Sequence, residues 1–318
     1  MKINSKIIEL IQESKNVAIF THLRPDADAI GSACALKMVL EKMGKNADVM
    51  CDTDIISPNF AFIKNSNKVN RPMLMEYDTA IAVDCGDLGR LGKYDVLFNS
   101  IPTTINIDHH VTNDNFAQNN FVREASSTGE ILYFVFKTLK VNLNKDIAMA
   151  LYAAISSDTG CFLHNNVTPD SHKIAGYLMK YKIDIGKANY YLFKRRSLGQ
   201  IKLQQIALHN LKFYLDNRVA IMYLTAKDFK LCDIGTNESF GLVDIGINIE
   251  KVEVGILISE IKPNLYACSI RGKGNVDTSL IAKTFGGGGH VNASGCNIFG
   301  TCNTVINKLV RVSKKFLC

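Results

Sequence analysis

A two-domain α/β protein is the fold class this sequence predicts, and three observations carry that expectation. Short apolar runs recur through the first half and each ends abruptly on an acid or a histidine: residues 17–21 run into His22, 79–83 into Asp84, and 105–107 into Asp108-His109-His110. Helical patterns alternate with these runs, which predicts a doubly wound parallel sheet. At 318 residues the chain also exceeds one core of usual size, so a second, smaller α/β domain with a mixed sheet is expected.

Composition narrows the class further. Hydrophobic residues at 47% and charged residues at 21% are those of a soluble globular protein, and no run of about 18 apolar residues offers a membrane span. Residues 3–11 are charged and carry isoleucines at helical spacing, an amphipathic first helix and not a signal peptide. Nine cysteines without a C-x-x-C pair point to reduced, mostly buried thiols in a cytoplasm. The net charge of +7 suits a phosphate-bearing substrate but equally suits plain solubility.

The elements follow in order. The strand over 17–21 enters His22-Leu23-Arg24-Pro25-Asp26-Ala27-Asp28, where Pro25 forces an extended or turning backbone before it. Residues 29–40 are small and apolar, a helix able to lie close to a sheet, with Asp28 placed to cap it and Asp26 to form the turn. Residues 47–50 form a second strand, and 52–77 are loop with a short helix. The strand over 79–83 ends at Asp84, on the same sheet edge as Asp26 if the strands are parallel neighbours. Residues 113–120 read as polar loop. Ser126-Ser127-Thr128-Gly129-Glu130 is a capping sequence for the helix over 131–139, and the helix over 146–156 ends at Ser157-Asp158-Thr159-Gly160.

Any one of these acids has an ordinary structural use as a cap or turn former. Together His22, Asp26, Asp28, Asp84, His109 and Asp158 make four carboxylates and two imidazoles at element ends. Four clustered carboxylates repel one another, so some must take up protons or be neutralised by cations. Two divalent cations cancel that charge, and an acid shared between them would hold them about 3.5–4 Å apart, the spacing that serves in-line attack on phosphorus. Mixed oxygen and nitrogen donors suit Mn²⁺, with Mg²⁺ or Co²⁺ as substitutes.

These residues resemble a known family. His22-x-x-x-Asp26-x-Asp28, the strand-end Asp84, Asp108-His109-His110 and Ser157-Asp158-Thr159-Gly160 are similar to the four motifs of the DHH phosphoesterase superfamily. The resemblance implies that His22 and Asp26 serve one metal, that Asp28, His109 and Asp158 serve the other, and that Asp84 bridges them. It further implies that His110 faces the substrate phosphate and that Asp108 supports it.

In the second half, strands are expected at 218–224, 252–258 and 265–270, the last two joined in a hairpin through Lys262-Pro263-Asn264. Arg271-Gly272-Lys273-Gly274 leaves the third strand, a helix begins at Val276, and Phe285-Gly286-Gly287-Gly288-Gly289-His290 follows. Four consecutive glycines let backbone N–H groups approach a phosphate. This stretch is similar to the substrate-binding domain that follows many DHH phosphoesterases. It implies that Arg271 and His290 grip the substrate and that Gly287, Gly288 and Gly289 line the cleft; where many relatives have Ser after this Arg, the chain has Gly272. The expected division is a catalytic metal-binding domain over 1–185, a helical linker over 186–212 and a substrate-binding domain over 213–318, with the active site in the inter-domain cleft.

Almost the whole chain resembles the NrnA-like branch of oligoribonuclease and pAp phosphatase enzymes. The expected function is that of a hydrolase acting through a metal-activated water, a phosphodiesterase or exoribonuclease that degrades short RNA oligonucleotides to mononucleotides and dephosphorylates pAp. Phosphodiesterase action on cyclic or linear signalling dinucleotides (c-di-AMP, pApA) is the alternative, and a non-catalytic nucleotide-binding module the rival of a different class. A cytoplasmic protein with no membrane partner completes the expectation; the apolar stripe of the first helix suits a homodimer contact, with core packing the commoner use of such a stripe.

Overall fold

A computed structural model describes residues 3–53, 55–239 and 241–317, with the backbone alone for Asn237, Glu238 and His290. The chain divides into two compact units between Arg195 and Arg196.

The first unit runs α1 (Ser5–Glu13), β1 (Asn16–Phe20), α2 (Ala27–Lys42), β2 (Asn46–Met50), β3 (Thr79–Val83), α3 (Asp95–Ser100), β4 (Thr103–Asp108), β5 (Asn119–Val122), α4 (Thr128–Thr138), α5 (Lys145–Asp158), α6 (Pro169–Met179) and α7 (Ile185–Asn189). Among the described residues its sheet has five parallel strands in the order β2-β1-β3-β4-β5. This is the doubly wound α/β arrangement the sequence predicts. Strand order reverses between β1 and β3, and open α/β sheets bind ligands at the carboxyl ends of the strands flanking such a reversal.

Alternation along the strands sorts two cores. Val17, Ile19, Val49, Ile81, Val83, Ile105 and Ile107 pack with α1, α2, α4 and α5, including Ile7 and Ile11 from the apolar stripe of the first helix. Ala18, Phe20, Ala80 and Ala82 face the other way, against Leu91 and Phe98. Burial on both faces is why these strands read as nearly continuous apolar runs. The stretch expected as loop over 113–120 instead ends in β5, which adds to β4 as an edge strand. Its sequence, Asn119-Asn120-Phe121-Val122, buries Phe121 alone, too short a pattern to read as a strand.

The second unit runs α8 (Leu198–His209), β6 (Lys212–Tyr214), β7 (Val219–Leu224), α9 (Ala226–Leu231), α10 (Leu242–Ile247), β8 (Val254–Lys262), β9 (Leu265–Gly272), α11 (Thr278–Lys283), β10 (Gly288–His290), β11 (Ala293–Phe299) and α12 (Cys302–Ser313). Its described sheet has six strands in the order β10-β11-β9-β8-β7-β6, antiparallel except for the β7–β8 pair. The smaller mixed-sheet domain and the β8–β9 hairpin are as expected. The stretch over 186–212 does not stand apart from the two units. Residues up to Arg195 belong to the first, and α8 buries Leu203 and Ala207 against Met222, Leu224 and Leu257 of the second. No helix among the described residues is long and apolar enough to cross a membrane.

Phe20 and Phe98 are fully buried and meet edge to face, with ring centroids 5.7 Å apart. Phe98→Ala is expected to cost the first unit about 3–5 kcal/mol, read as a lower urea midpoint by fluorescence or circular dichroism.

Candidate metal centre

Each acid or histidine of the predicted set leaves the sheet at its carboxyl edge or meets that edge from a helix. His22 stands two residues past β1 and its Nδ1–H donates to the Leu23 carbonyl at 2.7 Å, which leaves Nε2 to face Asp84 Oδ2 at 3.6 Å. Asp26, expected as a turn former, is the N-cap of α2 and accepts from the Ala29 N–H at 3.0 Å. Asp28, expected as that cap, lies inside the first turn and is fully buried. Its carboxylate accepts from the backbone N–H groups of Thr128 at 2.7 Å and Gly129 at 3.0 Å, and from Ser32 Oγ at 2.9 Å. The N-terminus of α4 therefore satisfies a carboxylate a hundred residues earlier in the chain, the favourable end of a helix for an anion.

Asp84 is held in an uncommon backbone conformation, with φ of 56° in the left-handed region. Such a conformation in an aspartate marks a position whose surroundings over-determine it. Its two carboxylate oxygens face different partners: Oδ2 lies toward His22, and Oδ1 lies 3.5 Å from His109 Nε2. Thr128 Oγ1 donates to Oδ1 at 3.0 Å.

The adjacent histidines lie side by side, ring centroids 4.6 Å apart, and take different partners. His109 donates Nδ1–H to the Ala125 carbonyl at 3.3 Å and points Nε2 at Asp158 Oδ2 (3.3 Å) and Asp28 Oδ2 (3.9 Å). His110 donates Nδ1–H to Asp108 Oδ1 at 2.7 Å, and Asp108 Oδ2 accepts from Asn113 Nδ2 at 2.6 Å. A histidine whose Nδ1–H is taken by a carbonyl or carboxylate has a fixed tautomer and orientation, the usual support for a ring that ligates through Nε2.

Three overlapping groups can each hold a cation: His22, Asp26 and Asp84; Asp28, His109 and Asp158; and Asp84, Asp108, His109 and His110, with donor atoms in each within 4.8 Å of one another. The His22–Asp84 and His109–carboxylate separations run from 3.3 to 3.9 Å. They match donors around one ion, since bonds of about 2.1 Å put ligand atoms about 3 Å apart when adjacent and about 4 Å when opposed.

The electrostatics point the same way. Burial, then the charges of Asp84, Asp158 and Asp26, pushes the Asp28 carboxyl well above the usual range. Burial and the charges of Asp84 and Asp26 push Asp158 up to about 8. Burial works against ionisation of Asp84 too, but His22, with His109 and His110 behind it, holds that carboxyl down at about 2. The hydrogen bond to Asp108 raises His110 to about 9 against the opposing effect of burial. A cluster that retains protons in this way is one that cations would relieve, and the mixed carboxylate and imidazole donor set fits divalent metal.

In the second unit, Arg271 leaves the end of β9 with Nε 3.4 Å from Asp244 Oδ1. The glycine stretch is only partly loop: Gly288–His290 forms β10, paired with β11, and Gly289 has φ of 144°. The His290 side chain lies outside the described residues. Gly272 is closely surrounded. A Cβ there would fall 2.6 Å from Thr278 Cγ2 and 3.0 Å from the Val276 carbonyl oxygen. Three residues escaped the sequence reading as parts of the site: Thr128, Gly129 and Asn113. The run Ser-Ser-Thr-Gly at a helix start was the available signal, since it leaves N–H groups aimed outward, but local sequence names no partner for them.

Residues 16–155 match the DHH family, N-terminal domain. This part of the chain is a DHH family domain. The match ends three residues before Asp158, so the last acid of the set lies just beyond it. Across nearly its full length the chain is similar to the bifunctional oligoribonuclease and PAP phosphatase NrnA of Bacillus subtilis, 26% identical over 299 residues and covering 93% of each protein. The crystal structure of an exopolyphosphatase-related protein from Bacteroides fragilis has the same fold, with a TM-score of 0.91 at 24% identity, covering 98% of this chain and 95% of that one. The manganese-bound exonuclease RecJ is a more distant neighbour, with a TM-score of 0.54 at 12% identity, covering 98% and 94% of the two chains. The DHH domain and the bifunctional phosphatase relatives together support a hydrolase.

Thr128→Val removes the donor to Asp84 at nearly constant volume. It is expected to weaken divalent-metal binding to the DHH domain roughly 10–100-fold by calorimetry, with an unchanged far-ultraviolet spectrum. A pH dependence follows from the raised carboxyls. Their folded-state values exceed the unfolded ones, so their contribution to metal-free stability is complete below the unfolded value and fades as pH rises through the folded value, about 8 for Asp158. Between about pH 5 and pH 8 the Tm of chelator-treated protein is expected to fall, and the Tm gain on adding Mn²⁺ to grow.

Proposed function

We propose that this protein is a metal-dependent phosphoesterase that degrades very short oligoribonucleotides to mononucleotides and removes a phosphate from pAp. The observation that carries the reading is the placement of Asp84, with one carboxylate oxygen toward His22 and the other toward His109. On this reading His22 and Asp26 hold one Mn²⁺, Asp28, His109 and Asp158 hold a second, and Asp84 serves both. Mg²⁺ and Co²⁺ are the expected substitutes. When bound, such a cation pair neutralises phosphate charge and makes water acidic enough to attack phosphorus near neutral pH.

The chain's own residues then have separate tasks. Asp28 is locked by three donors from α4 and α2, so its carboxylate cannot swing away when the site fills. His22 and His109 are fixed by carbonyls on Nδ1 and keep Nε2 available. Asp108 keeps a proton on His110 Nδ1 and leaves His110 Nε2 to bind a phosphate oxygen of the substrate or to give a proton to the departing oxygen. Arg271, His290 and the Gly287, Gly288 and Gly289 stretch take the substrate's terminal nucleotide, with Arg271 exchanging its contact to Asp244 for phosphate. The choice of short RNA and pAp is supported by the bifunctional NrnA relative, whose likeness runs through both units. A cytoplasmic location accords with the eight described cysteines all being free thiols.

The test is hydrolysis of a 5′-labelled RNA ladder from dinucleotide upward, with pAp and cyclic di-AMP alongside, in Mn²⁺ and in chelator. Metal-dependent loss of the shortest RNAs and of pAp is expected, and Asp84→Asn should abolish both. Preferential consumption of cyclic di-AMP would replace the substrate assignment. Retained turnover in Asp84→Asn would overturn the site. Arg271→Ala is expected to raise KM for pAp roughly 10–100-fold with a smaller change in kcat, the loss of one charge-assisted contact.

A further inference from the structure

The second unit contains a pair of thiols that the phosphoesterase reading leaves unused. Cys268 on β9 stands directly opposite Cys296 on β11 in the antiparallel register. Opposed residues of an antiparallel pair point to the same face, and both side chains lie in one buried cluster with Tyr266, Ile270, Ile298 and Val305. Directly opposed Cα atoms in such a ladder are about 4.5–5.5 Å apart, inside the range of about 4.4–6.8 Å that a disulfide spans. The Cys268 thiol donates to the Tyr266 carbonyl at 3.9 Å, and the juxtaposition of the two thiols favours the thiolate at Cys296 and disfavours it at Cys268. Elsewhere burial pushes Cys34, Cys51 and Cys85 upward, to between about 11 and about 12, as for inert structural thiols. Cys296 is displaced in the opposite direction.

The covering of this pair is thin. A Cβ at Gly287 would fall 2.5 Å from Cys296 Cβ and 2.8 Å from its Cα, so the glycine stretch rests directly on Cys296. Beyond it β10 is an edge strand of three residues, held by β11 alone within its sheet. Short edge strands open locally at low cost, and this one follows directly on Gly287, whose N–H donates to the Ala282 carbonyl at 3.0 Å.

We propose that Cys268 and Cys296 form a reactive dithiol that is oxidised by low-molecular-weight disulfides to a reversible cross-strand disulfide. The Cys296 thiolate attacks one sulfur of the small disulfide and expels its other half as a thiolate, forming a mixed disulfide. Cys268 then gives up its proton, attacks the Cys296 sulfur and expels the second half. Two small thiols are released as the two protein thiols become one disulfide. The bond ties β9, which carries Arg271 three residues beyond Cys268, to β11 beneath the glycine stretch.

The experiment incubates the full-length protein with oxidised glutathione, blocks remaining thiols, and maps disulfide-linked peptides by mass spectrometry. The expected result is a Cys268–Cys296 linkage that dithiothreitol reverses, with the titre of free thiols lowered by two. In Cys268→Ser the second step cannot occur, and glutathione should remain trapped on Cys296. Recovery of both cysteines as free thiols in treated native protein would overturn the proposal. So would linkage of either one to Cys302, which lies close enough to affect Cys268 electrostatically.

Discussion

The structure of the first unit depends on the constraint imposed by Asp84. A carboxylate buried at the end of a central strand, in a left-handed backbone conformation, needs compensation from several directions. His22 comes from the neighbouring strand β1, His109 from β4 on the other side, and Thr128 from the start of α4. The reversal of strand order between β1 and β3 is what makes that convergence available, because connections leave in opposite directions there. The backbone strain and the burial of charge are costs to the fold, and their concentration at one aspartate is the physical signature of a site.

Around that residue, orientation is supplied by backbone groups more than by side chains. The α4 N-terminus fixes Asp28, and the carbonyls of Leu23 and Ala125 fix His22 and His109. Backbone donors and acceptors do not titrate or change rotamer, so the arrangement is set by the fold before any ion binds. Asp26 is exposed and His109, His110 and Asp158 are partly exposed, while the rest of the cluster is buried, which leaves a side for ligand entry.

The sequence made the sheet and the approximate position of the acids legible for one reason. Strands buried on both faces are largely apolar, so the acid that ends each run stands out, as Asp84 does after Val83 and Asp108 after Ile107. Tertiary partners were not legible. Asp26 and Asp28 are two residues apart and either can cap a helix; which one caps is decided by Thr128 and Gly129, whose N–H groups claim Asp28. Elements with a single buried side chain, such as β5 with Phe121, or with almost no side chains, such as β10, carry no periodicity to read. They form because a neighbouring strand offers a ladder.

Asp84 as a shared ligand of two cations is tested most directly by electron paramagnetic resonance of the protein titrated with Mn²⁺. Two ions about 3.5–4 Å apart through one carboxylate give an exchange-coupled spectrum as the second equivalent binds. The expected result is that coupled signal in the native protein, and only isolated-ion signals in Asp84→Asn. An uncoupled spectrum from native protein with both equivalents bound would contradict the shared site.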